Sequence, residues 1–165
     1  MADAIILTNE QINHKIKRIS FQILEENVNE NEIIIAGIAA NGFILAKKIK
    51  TVLEDISNAS IVLCEVIIDK KNPLNEIKTS LKANEYRGKP LVLVDDVLNS
   101  GTTLIYGIKH FLDVPLKSFK TAVLVNRNHK KYPVKADYKG ISLSTTLQDN
   151  ITVEFNKEEA IAYLD

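Results

Sequence analysis

Two adjacent carboxylates, Asp95 and Asp96, close an apolar stretch of the sequence just before a short polar loop. The stretch reads LVLVDDVLNSGTTL from residue 91 to residue 104, with Gly101 and several hydroxyl residues in the loop. An apolar run of this length is typical of a buried strand, and the apolar spacing after Thr103 indicates a helix. The sequence therefore predicts a strand, a tight loop and a helix, with both acids at the carboxyl end of the strand.

The loop in front of the predicted helix has the composition of a phosphate cradle. A helix N-terminus presents unpaired backbone N–H groups and about half a positive charge, so it attracts anions. Gly101 lets the backbone come close to a ligand, and Ser100, Thr102 and Thr103 can add hydroxyl donors. The sequence therefore predicts that this loop binds a phosphate group.

Asp95 and Asp96 need a different partner, because carboxylates repel a phosphate that is bound beside them. Hydroxyl groups or a metal ion would suit them, and a ribose 5-phosphate carries hydroxyl groups and a phosphate in one molecule. Adjacent side chains of a strand point to opposite faces, so both acids reach one ligand only if the chain turns directly after them. Otherwise one acid faces the site and the other binds backbone or solvent.

The stretch LVLVDDVLNSGTT resembles the phosphoribosyl-pyrophosphate binding motif of the type I phosphoribosyltransferases. That motif consists of four apolar residues, two acids, three variable residues, Ser or Thr, Gly, any residue and Thr. The resemblance implies that Asp95 and Asp96 lie by the ribose 2- and 3-hydroxyls and act catalytically, by stabilising positive charge on the ribose in the transition state. It also implies that the 5-phosphate is bound by Val97, Leu98, Asn99, Ser100, Gly101, Thr102 and Thr103.

Further stretches extend the resemblance over nearly the whole chain, toward the bifunctional pyrimidine-operon regulators that are also uracil phosphoribosyltransferases. These stretches are IAGIAANGFILAKKI, AVLVNRNHKKYPVKADYKG and ITVEF. The resemblance implies an α/β fold of the type I phosphoribosyltransferase kind, which is Rossmann-like, with a mostly parallel central sheet flanked by helices and a small C-terminal hood. We expect a single domain over residues 1–165.

The turn GIAANG departs from the family pattern, although it stands where the family has its pyrophosphate loop. The resemblance implies that Ala39, Ala40 and Asn41 offer backbone N–H groups to pyrophosphate. Relatives usually have Thr-Arg or a similar basic pair in this loop, whereas Ala40-Asn41 carries no charge. A charge-assisted contact contributes about 1.5–3 kcal/mol, so we expect its loss to weaken binding or catalysis.

The expected base site departs from the pattern too. Residues 142–150, SLSTTLQDN, should form the hood over the base, and relatives commonly have Arg where Leu147 stands. Arg127 is the best candidate for a polar contact with the base, and Leu147 is the second candidate base-site residue. The polar residues 69–88 are the candidate loop that closes over the site to exclude water.

Alternating strand and helix patterns predict a parallel sheet built from βα units. Thr8 and Gln11 predict a capping box at the start of the first helix. Residues 70–88 predict either a hairpin or a mobile loop, and Asn156 with Glu159 predicts a brief closing helix. The other predicted elements are helices at 8–27, 42–55 and 104–112, and strands at 32–37, 60–69, 90–96, 119–126, 134–140 and 151–155.

Composition argues against several classes of protein. Lys and Arg number 21, as do Asp and Glu, so the formal net charge is zero and does not favour nucleic-acid binding. Cys64 is the single cysteine, so it forms no internal disulfide, and its apolar surroundings predict a core residue. No apolar stretch is long enough to span a bilayer and no signal region is visible, so we expect a cytoplasmic protein.

Other interpretations of the acidic pair explain less. Receiver domains of phosphorelay proteins also carry two acids at a strand end, but near the N-terminus and without a glycine-hydroxyl loop. A purely structural helix cap would account for Ser100 or Thr102 and leave both carboxylates unexplained. The basic cluster at Arg127, His129, Lys130 and Lys131 would attract phosphate or RNA, although such clusters are usually solvated surface.

Two functions therefore stay open. The first is transfer of ribose 5-phosphate from phosphoribosyl pyrophosphate to a nucleobase, with uracil as the leading candidate. For this reaction the resemblance implies a Mg²⁺ cofactor that is held by substrate oxygens and water, with no metal ligands from the protein. The second is a nucleotide-sensing regulator of pyrimidine genes that binds RNA, with reduced or no catalysis. The apolar stripe of the N-terminal helix and the small size of the chain favour a homodimer.

Overall fold

A computed structural model of the chain describes residues 4–127 and 129–165. The helices in these ranges are α1 (Asn9–Glu25), α2 (Asn41–Ile56), α3 (Ala83–Tyr86) and α4 (Thr102–Phe111). The strands are β1 (Ala4–Leu7), β2 (Glu32–Ile38), β3 (Ser60–Ile67), β4 (Lys78–Thr79), β5 (Pro90–Leu98), β6 (Ser118–Arg127), β7 (Tyr138–Leu143), β8 (Ile151–Phe155) and β9 (Ala160–Leu164).

A six-stranded sheet lies at the centre of the described structure, in the order β4-β3-β2-β5-β6-β7. Strands β3, β2, β5, β6 and β7 run parallel, and the two-residue β4 pairs antiparallel with β3. The predicted mostly parallel sheet is confirmed. Because β2 pairs directly with β5, the turns that follow these two strands meet at one edge of the sheet, where open α/β sheets bind ligands.

Both faces of the central sheet are buried, and alternate residues of each strand supply the two faces. In β2, Ile33 and Ile35 pack into the core on one face, whereas Ile34 and Ala36 pack into the core on the other. Helix α4 covers the second face. The first face is covered by α1 and α2, whose buried side chains recur at helical spacing and include Ile12, Ile16, Ile19, Leu45, Ile49 and Leu53.

Helix α1 begins at the predicted capping box. The Gln11 N–H donates to Thr8 Oγ1 at 3.3 Å, and the Thr8 N–H donates to Gln11 Oε1 at 2.9 Å. The apolar stripe of this helix faces the interior of its own chain, since its members are at most 3% exposed: Ile12, Ile16, Ile19 and Ile23. The stripe therefore provides no dimer surface, and the sequence argument that it favours a homodimer was wrong.

A second, antiparallel sheet of three strands has the order β1-β9-β8 and joins the two ends of the described chain. The predicted closing helix was wrong, because residues 160–164 form strand β9. The Asn156 N–H donates to the Glu159 carbonyl at 2.8 Å and closes the turn that leads into this strand. Ala160 and Ala162 are buried in alternation, which is the period of a strand.

The region between β3 and β5 contains a short hairpin, in line with one of the two predicted alternatives. Lys78 pairs with Ile67 across it, and α3 follows. The strand predicted at 134–140 begins only at Tyr138, although Val134 packs into the second core ahead of it. Cys64 is fully buried, as predicted, and burial raises the pKa of its thiol.

Candidate active site

The acidic pair lies within β5, because the strand continues to Leu98, two residues beyond the predicted end. The side chain of Asp95 is buried at 4% exposure, and Asp96 is half-buried. Both acids nevertheless line one cavity of about 270 Å³. The chain does not turn directly after the pair, yet both residues border the same space.

Backbone hydrogen bonds hold the two carboxylates. Asp95 Oδ1 accepts from the Asp96 N–H at 2.9 Å, and Asp96 Oδ1 accepts from the Val97 N–H at 2.9 Å. Burial raises the pKa of Asp95 well above its ordinary value; the neighbouring Asp96 charge raises it further, and Lys70 lowers it. The free protein therefore disfavours the ionised form of Asp95, and a cationic ligand in the cavity would favour it.

The predicted phosphate cradle opens onto the same cavity. Gly101 is the N-cap of α4 and has a φ of 86°, a left-handed conformation that favours glycine. Ser100 Oγ lies 2.9 Å from Thr102 Oγ1, and the Ser100 carbonyl accepts from the Lys131 N–H at 2.7 Å. The cradle is thus supported from the chain that follows β6, and the backbone N–H groups at the start of α4 can receive an anion.

All nine residues that were predicted to bind phosphoribosyl pyrophosphate, Asp95 to Thr103, line this cavity. Four further residues border it and were not named individually as site residues from the sequence: Lys70, Leu104, Val123 and Ile151. Lys70 lies in the segment 69–88 that was predicted to close over the site, and Ile151 lies at the start of β8. Lys70 stands in a DKK run after a strand, which could have marked it as a candidate. Ile151 has no comparable signal, because only the fold brings the small sheet to this edge.

The turn at 39–41 lies beside the acids, as the sheet order requires. Asn41 Nδ2 donates to Asp96 Oδ2 at 3.0 Å and to the Val153 carbonyl at 2.8 Å. The Ala39 N–H donates to the Val66 carbonyl at 2.8 Å, so it would have to leave that bond to bind pyrophosphate. The peptide bond between Ala39 and Ala40 is cis. A pyrophosphate contact at this turn stays a prediction.

Of the two predicted base-site residues, Arg127 ends β6 and Leu147 lies in the hood segment after β7. Arg127 is buried, and its Nε donates to Thr145 Oγ1 at 2.6 Å while its Nη2 donates to the Thr146 carbonyl at 2.8 Å. His129 Nε2 lies 2.7 Å from the Thr145 carbonyl. Leu147 is 90% exposed, and neither it nor Arg127 lines the cavity. Arg127 therefore anchors the hood, and a base contact by either residue stays a prediction.

Comparison with known proteins decides the family. The phosphoribosyl transferase domain model matches residues 4–159. The chain belongs to the phosphoribosyltransferase family. It is similar to the bifunctional protein PyrR of Fusobacterium nucleatum, with 34% identity over 95% of this chain and 96% of the relative. The PyrR of Bacillus pumilus is 30% identical over 93% of this chain and 91% of the relative.

Solved structures of phosphoribosyltransferases share the fold. The hypoxanthine phosphoribosyltransferase of Trypanosoma cruzi in complex with the product IMP has a TM-score of 0.78 and 16% identity, over 96% of this chain and 92% of the other. A hypoxanthine-guanine phosphoribosyltransferase from Bacillus anthracis has a TM-score of 0.70 and 21% identity, over 85% and 82%. The predicted type I phosphoribosyltransferase fold is confirmed, and the protein is a pentosyltransferase of this family.

Neither a membrane-spanning helix nor a group of metal ligands is found among the described residues. No helix within residues 4–127 and 129–165 combines the length and the hydropathy needed to cross a membrane. The same residues contain no group of three or more His, Cys, Asp or Glu side chains that could hold a metal ion.

Proposed function

We propose that the protein transfers ribose 5-phosphate from phosphoribosyl pyrophosphate to a pyrimidine base, with uracil as the leading candidate. One observation carries this proposal: Asp95, Asp96 and the cradle at 97–103 border a single cavity. Carboxylates suit the ribose hydroxyls, and a helix N-terminus suits the 5-phosphate. The similarity to bifunctional PyrR proteins over nearly the whole chain supports the choice of a pyrimidine.

The chemistry follows from this placement. The bond between ribose C1 and the pyrophosphate oxygen breaks and its electron pair leaves with pyrophosphate. C1 bonds to a ring nitrogen of the base, and the proton of that N–H group is released to solvent. Positive charge develops on the ribose, beside Asp95 and Asp96, and these carboxylates stabilise it. The developing positive charge also favours the ionised form of Asp95, and so opposes the effect of burial on its pKa.

Mg²⁺ fits this site as a partner of the substrate. Asp95 and Asp96 are the carboxylates that line the cavity and would meet such an ion, with substrate oxygens and water as its other ligands. When bound, the ion neutralises charge on the leaving pyrophosphate. Lys70 adds a protein cation to the same cavity.

A panel of nucleobases tests the proposal directly. Purified protein with phosphoribosyl pyrophosphate and Mg²⁺ should release pyrophosphate when uracil is added, and the Asp95→Asn/Asp96→Asn variant should lose this activity. The same measurement without Mg²⁺ tests the cofactor. Absence of turnover with every base, in folded protein, would refute catalysis. Full activity of the double variant would refute the assignment of the two acids.

A nucleotide-sensing RNA-binding regulator is the second candidate, and one surface favours it. A pocket of about 590 Å³ is lined by four lysines, namely Lys120, Lys130, Lys135 and Lys139. Two acids, Glu26 and Asp137, share the pocket, so the local charge is only moderately positive. This positive patch compensates for the neutral overall charge that argued against nucleic-acid binding.

Salt titration tests the regulator. RNA hairpins should bind most tightly at low salt, and the Lys130→Ala/Lys135→Ala variant should weaken binding and flatten the salt dependence. The exposed Lys157→Ala serves as the matched control. Binding that depends on uridine monophosphate would link the patch to the nucleotide site. No RNA binding even at low salt would exclude this function.

We also propose a homodimer and a cytoplasmic location. The apolar stripe of α1 does not support the homodimer, because it is buried in its own chain. Sedimentation velocity over a range of protein concentrations would measure the oligomeric state. A protein that sediments as a monomer at every concentration would refute the homodimer.

A further inference from the structure

The Asn41 side chain joins three parts of the molecule that are far apart in sequence. Asn41 is the first residue of α2, and its Nδ2 atom contacts Asp96 in β5 and Val153 in β8. These partners are 55 and 112 residues away along the chain. One amide group therefore connects the turn after β2, the Asp96 carboxylate and the small sheet.

The orientation of this amide is fixed by chemistry. Both contacts of Nδ2 are to acceptors, a carboxylate oxygen and a backbone carbonyl, so the NH₂ group and not the amide oxygen must face them. The two hydrogens of the NH₂ group are sufficient for the two bonds. The bond to Asp96 is charge-assisted and is therefore stronger than a neutral one.

The same contacts restrict the carboxylate of Asp96. Its Oδ2 accepts from Asn41 at 3.0 Å, and its Oδ1 accepts from the Val97 N–H at 2.9 Å. Each oxygen thus accepts from a protein donor, and these two bonds restrict the plane of the carboxylate while the remaining lone pairs can meet a ligand hydroxyl. Ile151, two residues before Val153 in β8, lines the same cavity as Asp96.

We propose that Asn41 is a positioning residue that orients Asp96 for the ribose diol and couples that site to strand β8. The inference rests on the proposed function, because it assumes that Asp96 binds ribose hydroxyls. The Asn41 side chain would thus act on Asp96, whereas the basic residue that relatives usually have in this loop would pair directly with pyrophosphate. Binding of a ribose 5-phosphate at Asp96 then stabilises β8, and loss of β8 order weakens ribose binding.

Substitutions at residue 41 distinguish this role from general support of the fold. Asn41→Ala removes both bonds, and we expect kcat/KM for phosphoribosyl pyrophosphate to fall about tenfold to a hundredfold. Asn41→Asp should lower kcat/KM further, because a third carboxylate would face Asp96 and the Val153 carbonyl without a donor. Asn41→Gln keeps both amide hydrogens on a longer side chain and should recover part of the loss.

Hydrogen exchange measures the coupling itself. In the unsubstituted protein, ribose 5-phosphate should slow exchange at 97–103 and at 151–155. In Asn41→Ala, ribose 5-phosphate should still protect 97–103, although less than in the parent, and should no longer protect 151–155. Asn13→Ala, at an exposed asparagine of α1, is the matched control and should behave like the parent. If Asn41→Ala does not fold, the same comparison is made with Asn41→Gln, whose protection should be intermediate.

The outcomes separate this inference from the proposed function. Parent protein that neither binds ribose 5-phosphate nor turns over would overturn the proposed function, whatever residue 41 does. Parent protein that is active, with Asn41→Ala and Asn41→Asp matching the control in kcat/KM and in exchange at 151–155, would overturn only the positioning role. Equal loss in Asn41→Gln and Asn41→Ala, together with faster exchange throughout the chain, would also overturn it, because it would show general destabilisation.

Discussion

Gly42 lies directly against Asp95, so closely that a side chain at residue 42 has no room. A Cβ atom at this position would be 2.7 Å from the Val94 carbonyl oxygen and 3.1 Å from Asp95 Oδ1. Real Cβ atoms essentially never approach other atoms to less than 3.0 Å, and the nearest atoms here belong to backbone. The first turn of α2 therefore packs against the strand that carries the acidic pair.

Gly42→Ala should lower both stability and activity. Although alanine favours helix by up to about 1 kcal/mol, the overlap with the β5 backbone should cost about 1–3 kcal/mol and displace Asp95. Urea denaturation and steady-state kinetics would measure the two effects. Gly107→Ala is the control, since its Cβ would meet only side-chain ends, the nearest being Leu93 Cδ2 at 3.0 Å. Gly42→Ala that is as stable as Gly107→Ala would contradict the expectation.

Asp95→Asn should stabilise the free protein while it abolishes activity. Burial raises the folded-state pKa of Asp95 well above 3.8, so in the unfolded chain this group ionises at lower pH than in the folded one. The parent therefore loses stability as pH rises from about 3.8 through the raised pKa. The loss is about 1.4 kcal/mol for each unit by which the folded-state pKa exceeds the unfolded-state pKa. Asparagine does not titrate, so the loss is absent in the variant.

Thermal denaturation at several pH values checks this prediction. The Tm of Asp95→Asn minus that of the parent should be near zero at about pH 3.8 and should grow by a few degrees or more as pH rises. The exposed Asp55→Asn on α2 is the control for the loss of one carboxylate. A difference that shrinks toward neutral pH would contradict the assigned direction of the pKa.

Gly101→Ala should disrupt the phosphate cradle in two ways, by strain at a positive φ and by overlap of the new Cβ atom with a neighbouring side chain. Gly88 has a similar positive φ of 73°, but a Cβ there would have no atom within 4 Å, whereas a Cβ at Gly101 would meet Val134. Strain alone should cost about 1–2 kcal/mol at either position. Only Gly101→Ala should also lose affinity for ribose 5-phosphate, because Gly88 precedes β5 at the opposite edge of the sheet. Isothermal titration that finds equal affinities would argue against the cradle.

Local patterns explain what could be predicted from the sequence. The apolar run that ends at Asp95 and Asp96 predicts a buried strand because the residues of β5 pack on both faces of the sheet. Gly101 predicts a tight loop because a positive φ is required there. Such signals depend only on neighbours in the chain, so residues 95–103 could be singled out from the sequence without knowledge of the cavity that they line.

Relations between distant residues could not be predicted in the same way. Asn41 meets Asp96 and Val153 only because β2 pairs with β5 and because the small sheet lies at their carboxyl ends. Strand β9 was missed because Asn156 and Glu159 match a helix-cap pattern. The partner of β9 on one side is β1, at the other end of the chain, and nothing local indicates that pairing.

Arg127→Lys should weaken binding of the base more than binding of phosphoribosyl pyrophosphate. Lysine keeps the charge, but it has one nitrogen in place of the separate Nε and Nη2 atoms that donate to Thr145 Oγ1 and the Thr146 carbonyl, so the anchor of the hood is weakened. We expect the KM for the base to rise about tenfold, equivalent to about 1.4 kcal/mol, with the KM for phosphoribosyl pyrophosphate nearly unchanged. Thr145→Val removes one of the same bonds and should cause a smaller rise that is not additive with Arg127→Lys. Equal changes in both KM values would show that Arg127 supports the whole site and not the hood alone.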